Sequence, residues 1–194
     1  METALKPKHV SLDLGKGVLL PSTLTKRKLK DLDSFFADTQ ATETILNSGQ
    51  DPIIYEVYEC LQPQELGHLN FGTTILYPGK IGDEFYMTKG HFHAKEASSE
   101  VYLGLAGKGL ILLQSRTGIS ECLEMSQGEV IYVPPGWGHR TVNVGAEKLV
   151  FFFMYQADAG HDYESVQEQG FSKLVVERRG RVEVVDNPRF AIKT

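Results

Sequence analysis

The sequence predicts an all-β domain, a β-sandwich or small barrel, preceded by an N-terminal arm that contains a short helix. Three observations predict it. From Ile53 onward the 194-residue chain breaks into short runs rich in Val, Ile, Tyr, Phe and Thr. Gly, Pro or Asn bounds most of these runs, and no helical pattern intervenes between them. The first 50 residues lack this texture, which sets residues 1–50 as the arm and 51–194 as the β domain, together one structural domain.

Within the arm, LTKRKLKDLDSFFAD (24–38) spaces Leu29, Leu32, Phe35 and Phe36 as on one face of a helix. The following TQATETILNSGQDP reads as loop, closed by Asn-Ser-Gly and Asp-Pro turn signals. The expected strands are then IIYEVYEC, NFGTTILYPG, EFYMTKGHFHA, EVYLGLAGKGLILLQ, EVIYVPP, HRTVNV and KLVFFFMYQA. The fourth folds into a hairpin about Gly107-Lys108-Gly109, and RGRVEVVDNP (179–188) adds a last hairpin.

Composition narrows the function classes. Hydrophobic residues at 41% and charged residues at 23% are ordinary for a soluble globular protein. A formal charge of −5, with no long basic run, argues against a nucleic-acid partner. The longest apolar run, LVFFFMY, is seven residues, so no membrane partner is expected, since a spanning helix needs roughly 20. METALKPKHV has no apolar stretch behind it and is no export signal. Cys60 and Cys122, 62 positions apart, form neither a disulfide framework nor a paired-thiol metal motif. Reduced cysteines and a cytoplasmic location are the expectation.

The chemistry concentrates in TKGHFHAKEASSEVYLGLAGKG (88–109). Strand alternation puts His91 and His93 on one face, close enough to share an ion. Glu100 opens the next run with Tyr102 on its face, and Glu96 competes with it by proximity. His139 follows GEVIYVPPGWG, where prolines end a strand and glycines turn the chain. Three imidazoles and one carboxylate suit one divalent transition ion, Fe²⁺, Mn²⁺, Ni²⁺ or Zn²⁺, with positions left open for substrate. A single histidine is more often a satisfied polar side chain, and His9 and His68 are read so. Trp137, beside the His139 turn, is read as packing it in place.

The run Gly128-x5-Pro134-x-Gly136-x2-His139-x3-Asn143 is the second signature of the cupin superfamily, met at every position. The first signature, G-x5-H-x-H-x3,4-E-x6-G, is met by His91-x-His93 and by Glu100-x6-Gly107. It departs at Phe85, which stands for the first glycine, and in the six residues between His93 and Glu100. Only Glu100 keeps the downstream glycine in register, so Glu100 rather than Glu96 is the expected ligand. TKGHFHAK…SEVYLGLAGKG, VPPGWGHRTVNVG, YQADAGHDY and the tail GFSKLVVE…VEVVDNPRF resemble the cupin-type glucose-6-phosphate isomerases, over about Asn70 to Phe190. One departure is Gly136, where relatives often carry an aromatic residue.

The resemblance implies a cupin jelly roll and a metal-dependent interconversion of glucose 6-phosphate and fructose 6-phosphate, in glycolysis or gluconeogenesis. It implies Fe²⁺ first among the metals, a homodimer, and His91, His93, Glu100 and His139 as ligands. Glu100 is the implied catalytic base. Thr74, Thr88 and Gly90 are the implied phosphate donors, with Tyr102, Tyr155, His161 and Tyr163 as further contacts to phosphate or sugar. Lys95 is equally an anion contact or an exposed lysine. Two other readings share the metal set: a cupin iron dioxygenase, and a non-catalytic sugar-binding cupin.

Overall fold

A computed structural model describes residues 6–167 and 170–190. The first five residues of the expected arm, and residues 168–169 and 191–194 of the expected β domain, lie outside that range. In chain order the elements are β1 (Ser11–Asp13), β2 (Val18–Leu20), β3 (Thr23–Lys28), a 3-10 turn (Leu29–Asp31) and α1 (Thr39–Asn47). Next come β4 (Ile53–Cys60), β5 (Leu69–Leu76), β6 (Lys80–Ile81), β7 (Glu84–Phe85), β8 (Glu100–Ala106) and β9 (Lys108–Ser115). The chain continues through β10 (Ser120–Ser126), β11 (Val130–Val133), β12 (Trp137–Asn143), β13 (Leu149–Gln156) and α2 (Glu164–Gln167). It closes with β14 (Lys173–Arg178) and β15 (Arg181–Asp186).

The largest sheet is antiparallel, in the order β11-β8-β13-β5-β4-β3. A second has β9 between β10 and β12, and a third runs β15-β14-β7-β6. One apolar cluster joins them: Leu76, Phe151 and Phe153 of the large sheet meet Ile111, Leu113 and Val142 of the second. Alternation along each strand explains it, since one face of each sheet is apolar and must be covered. The all-β sandwich is as predicted.

Several local expectations are corrected. Residues 24–38 do not form the helix; β3 pairs with β4 from Thr23↔Glu59 to Arg27↔Tyr55, and the 3-10 turn follows. Leu29, Leu32, Phe35 and Phe36 are all buried, so their spacing marks a core-facing path rather than a helical turn. The arm's helix is instead α1, in the stretch read as loop, capped where Ala41 N donates to Asp38 Oδ1 at 2.8 Å.

Gly107 makes no hairpin. β8 belongs to the large sheet and β9 to the second, so the chain crosses between layers at that glycine. Its φ is +81°, and a Cβ there would lie 2.4 Å from the Lys148 carbonyl oxygen. Residues 84–94 are likewise not one strand: β7 ends at Phe85, and the rest makes only isolated bridges, from Met87, His91 and Phe92. Gly90, at φ +70°, interrupts it. β1, β2, β6, β10 and β14 were not among the expected strands, and the last hairpin is not contained in 179–188: that stretch supplies only β15, which pairs with the preceding β14.

Candidate metal centre

His91 and His139 face each other across an isolated antiparallel bridge, each backbone N–H donating to the other's carbonyl at 3.2 and 3.0 Å. The next residue, Phe92, exchanges backbone hydrogen bonds with Asp162 at 3.2 and 2.8 Å. The 88–93 segment is thereby held on both sides without belonging to a sheet. The second contact carries His161 to a ring distance of 4.4 Å from His91. β8 brings Glu100 up beneath the histidines, because Glu100 pairs with Tyr155 of β13 and its side chain shares the inner face with Tyr102.

The ligand atoms of His91, His93, Glu100 and His139 all lie within 4.8 Å of one another. Glu100 Oε2 is 3.1 Å from His139 Nε2, 3.4 Å from His93 Nε2 and 3.9 Å from His91 Nε2. His93, Glu100 and His139 are each at most 4% exposed. His139 Nδ1 sits 3.4 Å from the Trp137 carbonyl, an acceptor only, which fixes the proton on Nδ1 and turns the Nε2 lone pair toward Glu100. The three Nε2 atoms and Glu100 Oε2 are buried and have no hydrogen-bond partner among the described residues.

Such atoms are costly to bury unsatisfied. Electrostatics keeps His91, His93 and Glu100 in the ligand-competent form. Burial holds the His93 imidazole down at about 4 and His91 well below its ordinary value, aided by the neighbouring histidines. Burial pushes the Glu100 carboxyl up, but His139 and His93 outweigh it and leave the group below the ordinary carboxylate range. Neutral imidazoles converging on an ionised carboxylate fit one divalent transition ion.

The cluster closes one end of a cavity of about 150 Å³. Thr74, Thr88, Gly90, Tyr102, Tyr155, His161 and Tyr163 all line it, together with His91, Glu100 and His139. Thr88 Oγ1 accepts from Thr141 N at 3.1 Å, which leaves its own O–H to donate. Tyr102 is hydrogen-bonded to Glu100. Tyr155 OH donates to Glu59 Oε1 at 2.8 Å. Two weighed candidates point elsewhere: Lys95 Nζ pairs with Asp158 at 2.5 Å, and Glu96 pairs with Arg116 at 3.2 Å.

Thr25, Arg27, Tyr55, Glu59 and Lys89 also line the cavity and were not expected there. The signal was present in the period-two alternation of Thr25 and Arg27, and of Tyr55, Val57 and Glu59. For Thr25 and Arg27 the helical spacing of 24–38 hides it; for Tyr55 and Glu59 the strand is expected, but which of its faces meets the site depends on its partner strands. Arg27 brings a guanidinium beside Tyr55 and Tyr163.

A profile of the glucose-6-phosphate isomerase (GPI) family matches residues 26–192. A protein named glucose-6-phosphate isomerase from Thermococcus gammatolerans is 50% identical over 187 residues, covering 96% of this chain and 98% of its own.

The chain belongs to the glucose-6-phosphate isomerase family.

The family member from Pyrococcus furiosus is 48% identical over 185 residues, covering 95% and 97% of the two chains. A putative glucose-6-phosphate isomerase from Rhizobium meliloti is 34% identical over 196 residues, covering 100% and 92%. Among solved structures, an oxalate oxidase superposes with a TM-score of 0.49 at 14% identity, over 60% of this chain and 58% of the other. The four clustered side chains are the ones that fall on the two histidine-bearing motifs of this chain.

Proposed function

We propose that the protein is a metal-dependent aldose–ketose isomerase that interconverts glucose 6-phosphate and fructose 6-phosphate. One observation carries the reading beyond family membership: a single cavity has four metal-type donors at one end and hydroxyl and amide donors, with Arg27 and Lys89, around the rest. A phosphorylated polyol needs both ends. Hydroxyls and a backbone N–H bind phosphate oxygens as neutral donors, and a guanidinium adds charge-assisted bonds.

In this reading His91, His93, Glu100 and His139 hold one divalent transition ion, with Fe²⁺ the first choice. When bound, the ion supplies charge stabilisation for the substrate oxygens at C1 and C2. Thr74 and Thr88 donate O–H, and Gly90 N–H, to the phosphate, and Arg27 and Lys89 supply positive charge beside it. His161 and Tyr163 contact the sugar hydroxyls, and Tyr155 orients Glu59. Glu100 takes the proton from C2 of the aldose and returns it to C1, while the hydroxyl proton passes from O2 to O1. Tyr102, hydrogen-bonded to Glu100, keeps the carboxylate oriented.

The assay is isomerase activity on fructose 6-phosphate before and after chelation, with Fe²⁺, Mn²⁺, Ni²⁺ and Zn²⁺ restored separately. Activity is expected to vanish with chelator and return with metal. Folded, metal-loaded protein without activity on any metal would sink the reading. A substrate deuterated at C2 should lose label to solvent; full transfer of deuterium to C1 would replace Glu100's role with a hydride shift.

The working form is proposed to be a cytoplasmic homodimer in the sugar-phosphate interconversions of glycolysis or gluconeogenesis. Both cysteines are free, and no helix among the described residues is long and apolar enough to cross a membrane. The edge strand β11 exposes Val130 at 68% and Tyr132 at 58%, beside Val101 of β8 at 38%, an apolar edge that a second copy would cover. The chain is taken as one structural unit, in which residues before Ile53 help line the site.

A further inference from the structure

Arg140 follows a cluster residue directly, is only 1% exposed, and has no part in the mechanism above. Burying a guanidinium is costly unless its charge is used. Among the described residues it forms no ion pair; Glu84 is the carboxylate whose field reaches it. A guanidinium is not deprotonated in proteins, so it remains a cation. Two of its donors converge on one acceptor, the Lys89 carbonyl, with Nε at 3.2 Å and Nη2 at 2.8 Å. The ring of Phe171 backs the guanidinium at 4.7 Å.

That carbonyl belongs to the peptide unit whose other end is the Gly90 N–H. A trans peptide is planar, so drawing the oxygen onto Arg140 turns the N–H the opposite way. Gly90 lines the cavity, and its N–H has no protein acceptor among the described residues. The turn is fixed: Gly90 sits at φ +70°, where a Cβ would lie 2.7 Å from the Phe171 ring, 2.8 Å from the His139 carbonyl and 2.9 Å from Arg140 Cβ. A cationic donor on a carbonyl also polarises its peptide and strengthens the N–H as a donor.

We infer that Arg140 is a positioning residue for anion binding, which aims and polarises the Lys89–Gly90 peptide so that the Gly90 N–H receives the substrate's phosphate. The guanidinium does not touch the anion; its charge reaches the phosphate through one peptide unit. The inference rests on the isomerase reading. It adds a buried cation directly behind the threonines and the amide, in addition to Arg27 and Lys89 of the cavity wall, without a further charged side chain in the seat itself.

The test compares wild type, Arg140→Lys and Arg140→Gln, each checked for bound metal and thermal unfolding. Arg140→Gln should bind metal normally, raise KM for fructose 6-phosphate and weaken competitive inhibition by inorganic phosphate roughly tenfold, equivalent to about 1.4 kcal/mol. Its kcat should fall much less, and Arg140→Lys should recover part of the loss. Residue loss that acted only through packing would lower metal content or stability without this split between KM and kcat. A folded, metal-loaded Arg140→Gln with unchanged KM and phosphate inhibition would overturn the inference. If that variant does not fold, the zinc-loaded wild type decides: titration with inorganic phosphate should move the Gly90 amide proton downfield, and a Gly90 resonance indifferent to phosphate would overturn it. Wild-type protein without isomerase activity or phosphate inhibition would instead remove the isomerase reading itself.

Discussion

At the scale of single residues, the same side-chain type takes different roles according to what surrounds it. His91 and His93 lose their charge to burial and to the neighbouring histidines, whereas Glu100 keeps its charge because it faces them. Proximity in sequence does not decide the carboxylate: Glu96 is nearer His93 along the chain but turns out to Arg116. Positive charge near the proposed phosphate comes from Arg27 and Lys89, which line the cavity, and from Arg140, buried behind it. Arg27→Met should therefore raise KM for fructose 6-phosphate by about tenfold with kcat nearly kept, the signature of a lost charge-assisted contact away from the reacting carbons. Steady-state kinetics on metal-loaded protein checks it, and an unchanged KM would remove Arg27 from the site.

At the scale of elements, the site depends on chain that is not regular structure. The 88–93 segment is held by β12 on one side and by residues 159–162 on the other, through His91–His139, Phe92–Asp162 and Lys95–Ala159 backbone bonds. β7 fixes where that segment begins, and its Glu84 carboxylate accepts from Ala37 N at 2.8 Å, tying the N-terminal region to the third sheet. Burial is the largest influence on Glu84 and raises it above the ordinary 4.5, partly opposed by Ala37 N–H and by Arg140 and Arg189. A raised carboxyl favours the folded state while it is protonated, so this contribution is complete below about pH 4.5 and is lost as pH rises through the folded value. Glu84→Gln removes that titration. Its melting temperature relative to wild type should thus climb as pH rises from 4 toward 7; a constant offset would mean the carboxyl is not perturbed.

At the scale of the whole molecule, five strands of the large sheet, β3, β4, β5, β13 and β8, form one wall of the cavity, while His139 and Thr141 of β12, the 88–91 segment and His161 and Tyr163 close it. The N-terminal residues are thus part of the site: β3 continues the large sheet past β4 and presents Thr25 and Arg27 inward. The opposite edge of that sheet is β11, with Val130 and Tyr132 outward. Substituting both as Val130→Lys and Tyr132→Lys should convert the proposed dimer to a folded monomer with its metal retained, measured by sedimentation. A double variant that still sediments as a dimer would place the interface elsewhere.

The sequence by itself determined the all-β class, most of the strands from Ile53 onward, and the two histidine-bearing motifs that converge in space. Each of these follows from local chemistry: alternation, turn residues, and donors at fixed spacing. Only the tertiary structure decided that Gly107 carries the chain between two sheets rather than around a hairpin, because a positive φ is compatible with both and the partner strands make the choice. Likewise it decided that Thr23–Lys28 is a strand, since an exposed edge of β4 offered more hydrogen bonds than a short helix could make alone. It also brought Arg27, Tyr55 and Glu59 to the cavity and placed Arg140 behind Gly90. Those positions depend on contacts between residues distant in the chain, where side-chain spacing carries no information about the neighbour across the fold.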